Sequence, residues 1–123
     1  MKNSNPPIDR DELLRRYQSG ERCFAGAKLD SITLDLRNSN LERADFSGSF
    51  IFADFAGANL RGAVFANANV KTCDFSNADL RDAVFTGAAL CATTFIDAKL
   101  EGADFEGAYY HSRTLEAGEK PWW

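Results

Sequence analysis

FAGANLRGAV FANANVKTCD FSNADLRDAV FTGAALCATT FIDAKLEGAD FEGAYY, residues 55–110, decides the fold. Every fifth residue is large and apolar: Phe55, Leu60, Phe65, Val70, Phe75, Leu80, Phe85, Leu90, Phe95, Leu100, Phe105 and Tyr110. Two positions before each sits a small residue, mostly Ala, with Cys73 and Thr93 as variants. A five-residue period fits neither an α-helix nor a flat strand. It needs a chain that turns a corner every five residues and stacks coil on coil, which is a solenoid.

Residues twenty apart also match in kind: Phe65, Phe85 and Phe105; Leu60, Leu80 and Leu100; Phe55, Phe75 and Phe95. Four units per coil would put each set in one vertical stack, with coils about 4.8 Å apart as in hydrogen-bonded strands. The small residues must then also face inward. Ala83→Leu is expected to overpack the core at a cost of about 1–3 kcal/mol. Below Phe55 the register slips twice. Leu29, Leu34 and Leu36 imply two extra residues or one irregular corner, and one residue is missing within Ser47 to Phe52. Either Phe50 or Ile51 points inward there, and both slips are expected as bulged corners.

Working outward, residues 1–8 read as a flexible polar tail containing Pro6 and Pro7. Residues 9–20 read as a capping helix. Asp9 and Glu12 make a capping-box-like pair, Ile8 and Leu13 a hydrophobic staple, and Gly20 the stop. The repeat spans residues 22–111. Residues 112–123 form a C-terminal cap or tail, where Leu115, Trp122 and Trp123 either fold back over the last coil or meet a second molecule.

The chain carries a formal net charge of −4, which disfavours a phosphate-neutralising surface, so no direct nucleic-acid binding is expected. The first residues carry no apolar run resembling a secretory signal, and no stretch approaches the length that spans a bilayer. A cytoplasmic location is expected. Cys23, Cys73 and Cys91 are odd in number, lack CxxC spacing and share one histidine, His111, so a zinc site is not expected. Cys73 takes an inward slot, and Cys91 is expected to face solvent. Asp54, Asp74, Asp79 and Asp104 follow the repeat rather than an ion-binding loop and suit corner hydrogen bonds. No catalytic, cofactor-binding or metal-binding set is expected.

Units such as Ala58-Asn59-Leu60 and Ala78-Asp79-Leu80 match A-(D/N)-L-x-x, and the stretch 24–110 resembles the pentapeptide-repeat family. The lead-in ELLRRYQSGERCFAGAKL is similar to that of cyanobacterial members. The resemblance implies an all-β fold, a right-handed quadrilateral parallel β-helix, here with a short N-terminal capping α-helix. It also implies two kinds of role: a non-enzymatic interaction scaffold, or a DNA mimic that binds DNA gyrase or a related topoisomerase. Twelve acidic and seven basic residues between 28 and 107 make a mild charge for a DNA mimic.

One outward feature departs from an ordinary solvated face. Residues 63–70 and 83–96 hold no charge and overlap at a twenty-residue offset. Val64, Ala66, Val84, Thr86, Ala89, Cys91 and Ile96 should therefore form a neutral strip. It is either β-friendly filler or a surface for an unidentified protein partner. The chain would act as a monomer or an end-to-end dimer.

Overall fold

In the computed structural model, residues 7–123 are described; the expected tail at residues 1–6 lies outside them. Pro7 and Ile8, assigned to that tail, are already tied down. Pro7 pairs in parallel with Lys28, and the Ile8 N–H donates to the Lys28 carbonyl at 3.0 Å. Helix α1, Arg10–Gln18, follows. The Asp9 carboxylate caps it by accepting from the Glu12 N–H at 2.8 Å. Glu12 does not return the bond but accepts from Arg16 Nη1 at 3.5 Å, so half of the capping box forms. At the other end Gly20 and Glu21 donate to the carbonyls of Tyr17 and Arg16, and Gly20 adopts φ +106°. These two bonds make a Schellman close. Leu13 and Tyr17 are buried, and the Tyr17 hydroxyl donates to the Glu42 carbonyl at 2.8 Å, which seats α1 on the first coil.

Above α1 the chain winds in parallel coils. Two longer strands pair in parallel, β1 (Lys28–Asp35) and β2 (Phe50–Asp54). Elsewhere each five-residue unit contributes one laddered residue and then a tight turn. From Asp54 upward the partners stand twenty positions apart: Asp54 with Asp74, Asn59 with Asp79 and Lys99, Val64 with Val84 and Asp104, Asn69 with Ala89 and Tyr109. Each turn closes with an N–H to the carbonyl three residues back, as from Ala68 to Phe65. The residue before that donor sits at positive φ. Glycine suits this position. At Gly87 (φ +68°) there is a second constraint, because an added Cβ would lie 2.3 Å from Asn67 Oδ1 on the coil below. The acidic corners behave as expected. Asp54, Asp74, Asp79 and Asp104 each accept from the backbone N–H two residues on, at 2.8–3.2 Å.

Two columns of rings fill the core. Phe24, Phe46, Phe65, Phe85 and Phe105 stack with centroids 4.8–5.7 Å apart, and Phe55, Phe75 and Phe95 at 5.0–5.2 Å. The two columns meet edge to face, as Phe75 and Phe85 do at 5.5 Å and 88°. Ring quadrupoles favour both offset and edge-on contacts. The small slots face inward too: Ala63, Cys73, Ala78 and Ala83 are fully buried. Thr93, the polar variant, satisfies its hydroxyl by donating to the Val70 carbonyl at 3.1 Å.

The register slips share one stretch of wall. Ile51, not Phe50, points inward, and both Leu34 and Leu36 are buried. One expected irregularity is present: in β1 the register shifts between Leu29 and Leu34, which pair with Ile51 and Ala53. The other slip takes a different form: where higher coils turn at Thr72 and Ala92, β2 runs straight through. Laddering pairs Phe50 with Asn69 and Asp54 with Asp74, so the missing residue falls inside β2. An extended strand spans the two core columns in fewer residues than a strand-plus-turn, so the shortfall needs no distortion of the core.

The last coil is closed by its own tail. Strands β3 (Tyr109–Tyr110) and β4 (Arg113–Thr114) make a hairpin around His111, which is exposed at φ +57°. Leu115 is buried, with its N–H on the Ala108 carbonyl at 2.8 Å. Trp123 crosses the top, its carbonyl accepting from the Phe95 N–H at 2.8 Å and its ring stacked on Tyr110 at 4.0 Å. Leu115 and Trp123 thus fold back, while Trp122 stays 73% exposed.

Candidate functional site

The neutral strip is a wall of this solenoid. Val64 and Val84 are directly paired and half-buried, with Asp45 below and Asp104 above in the same ladder column. In the next ladder column Lys28 pairs with Phe50, and from Phe50 upward through Asn69 and Ala89 to Tyr109 the column carries no charge. The corner residues Ala66 and Thr86 are half-buried between these columns. The ladder therefore brings Val64, Val84, Ala66 and Thr86 onto one wall.

Three members of the expected set behave differently. Ala89 is corrected: it is 3% exposed between Asn69 and Tyr109 and offers almost no contact area. Cys91 is also corrected from a solvent-facing to a half-buried position, where its Sγ accepts from the His111 N–H at 3.2 Å. Ile96 stands out at 56% exposure, one coil corner away. Sequence reasoning missed three further exposed apolar side chains: Ile32 (64%), Phe50 (50%) and Phe52 (39%). The signal was present, since Phe50 and Phe52 flank Ile51 in strict alternation, but the uncertain register hid which set faced out.

The chemistry of ionisable groups is that of a wall. Asp35 is held down to about 2, first by the side-chain hydrogen bonds from Arg37 and then by the Arg37 backbone N–H. Arg81 similarly grips Asp79 at 2.7 and 2.9 Å and holds that carboxyl below its ordinary range. Burial pushes the Cys73 thiol up to about 12. Among the described residues no group of three or more His, Cys, Asp or Glu side chains is arranged to hold a metal, and no helix is long and apolar enough to cross a membrane.

Comparison with known proteins agrees with this architecture. The family model for pentapeptide repeats matches residues 49–71 and 73–109, with eight copies. No curated protein sequence matches significantly. Among solved structures, a pentapeptide repeat protein from Nostoc Pcc 7120 is 30% identical, with 95% of this chain and 93% of that one covered and a TM-score of 0.52. QnrB1, a plasmid-mediated fluoroquinolone resistance protein, is 29% identical over 73% of this chain and 47% of its own, with a TM-score of 0.62. These relatives imply a right-handed β-helix. With the repeat, the turn chemistry and a relative covered along nearly its whole length, this chain belongs to the pentapeptide-repeat family.

Proposed function

We propose that this protein is a non-enzymatic scaffold, a rigid rod of quadrilateral cross-section that presents the wall around Val64 and Val84 to a protein partner in the cytoplasm. The observation that carries the reading is the column Phe50, Asn69, Ala89, Tyr109 beside the Val64–Val84 pair. Phe50, Asn69 and Tyr109 with the Val64–Val84 pair make an uncharged patch, bounded by Lys28, Asp45 and Asp104, on a backbone laddered at every coil, and exposed apolar patches mark interaction sites. A filled aromatic core supports a presenting rather than a converting role, because catalysis needs titratable groups gathered in a concave pocket.

The test compares wild type with a Val64→Lys, Val84→Lys variant as bait in host lysate. Both side chains lie on the wall, so the core is spared. A protein retained by wild type and lost by the variant supports the strip. Identical retention by both baits rejects it.

A second reading is the one the family resemblance implies, a DNA mimic that binds DNA gyrase, and it is compatible with the likeness to QnrB1, a fluoroquinolone resistance protein. A supercoiling assay with purified gyrase separates the two. Protection or inhibition at stoichiometric protein would favour the mimic, and an unchanged topoisomer ladder the scaffold.

A further inference from the structure

We infer that the lower wall, where β1 and β2 replace a corner, is a docking groove for a protein segment with an apolar anchor flanked by Lys or Arg. The inference shares the scaffold reading but does not depend on the Val64–Val84 strip. In β2 the side chains alternate outward and inward, leaving Phe50 and Phe52 exposed around buried Ile51. Phe52 stands opposite the irregular part of β1, because Leu29 pairs with Ile51 and Leu34 with Ala53. Ile32 lies in that irregular part, 64% exposed. It also lines a cleft of about 240 Å³ together with Pro7, Ile8, Asp9, Glu12 and Leu34. An apolar surface thus runs from the cleft beside α1 across both strands.

Nothing in the fold requires these side chains to be apolar. The laddering is carried by the backbone, and the core by Leu29, Leu34, Ile51 and Ala53. Three large exposed hydrophobics at one register slip form the kind of patch that is costly to leave in water.

Charge selects the occupant. Asp9 and Glu12 line the cleft itself, and Asp30 and Asp54 stand on the two strands. The basic groups at hand are partly spent. Arg37 and Arg16 are each shared among more carboxylates than one cation can neutralise: Arg37 is clamped to Asp35 at 2.8 Å and stands 4.0 Å from Asp54, and Arg16 serves Glu21 and, at 3.5 Å, Glu12. Arg10 Nε donates to the Asp35 carbonyl at 2.7 Å, leaving Lys28 opposite Phe50. An apolar floor with a carboxylate rim fits a basic, apolar segment and repels an acidic one.

Fluorescence anisotropy with three labelled peptides tests this: a Leu-Phe anchor between pairs of Lys, the same anchor between pairs of Glu, and a Ser-Ser centre between pairs of Lys. The Lys-flanked anchor should bind saturably, and weaken with salt. Affinity should fall by about tenfold or more in Ile32→Ser and in Phe52→Ser. Both residues are exposed, so circular dichroism and melting of the variants should match wild type. The Val64→Lys, Val84→Lys variant should bind the peptide like wild type, so a failed strip leaves this result standing. No saturable binding, equal binding of the Glu-flanked peptide, or undiminished binding by both Ser variants overturns the proposal. Self-association of wild type that is lost in Ile32→Ser, seen by sedimentation, would instead assign the groove to a second copy.

Discussion

At the scale of single residues, the fold depends on a left-handed position in every turn. Asn, Asp or Gly takes most of these positions, and where a side chain occupies one coil a glycine commonly follows above it, as Gly57 follows Asn38 and Gly87 follows Asn67. The side-chain oxygen below fills the space a Cβ would need. Gly87→Ala therefore combines a left-handed backbone with a close approach and should cost about 1–3 kcal/mol, measured by urea denaturation. Thiol reactivity tests the core directly. With its pKa pushed up to about 12 by burial, Cys73 remains a protonated, inaccessible thiol. Cys23 is exposed. Titration with a thiol reagent near neutral pH should modify Cys23 readily and Cys73 only after unfolding.

At the scale of elements, the corner carboxylates join turn to turn, and their effect depends on pH. Asp35 has its pKa lowered from 3.8 to about 2, chiefly by Arg37 side-chain hydrogen bonds. A depressed carboxyl stabilises the fold above its unfolded pKa and loses that contribution as pH falls through its folded one. Between about pH 4 and pH 2, wild type should lose stability more steeply than Asp35→Asn, read from melting temperatures across that window. For α1 the Asp9 cap and the Gly20 stop were legible, because capping and Schellman bonds are local and follow from short spacings. The Glu12 half of the capping box was not, since Glu12 turns to Arg16. Nor was the straight run of β2. Counting apolar residues located a missing and an extra stretch, but whether a slip becomes a bulge or a strand depends on the coil stacked against it.

At the scale of the whole molecule, the ends decide whether a stack of coils remains a single rod. Leu115 and Trp123 close the top, and α1 with Ile8 closes the bottom. Deleting Pro121–Trp123 would leave the Phe95 N–H without its 2.8 Å partner and expose the Tyr110 ring face. Amide exchange at Phe95 should then accelerate, while exchange at Phe65 in mid-rod stays slow. The bare edge should also promote association, visible by sedimentation. By itself the sequence determined the coil, the inward columns from Phe55 to Phe105 and the acidic corners, since a five-residue period repeated without a break admits one way of burying its large side chains. Only the tertiary structure decided that Ala89 is shielded and Cys91 half-covered, that Ile32, Phe50 and Phe52 face water, and that Trp123 rather than Trp122 covers the last coil. Each of those depends on which residues one coil lays against the next, a contact between positions about twenty apart that no local spacing encodes.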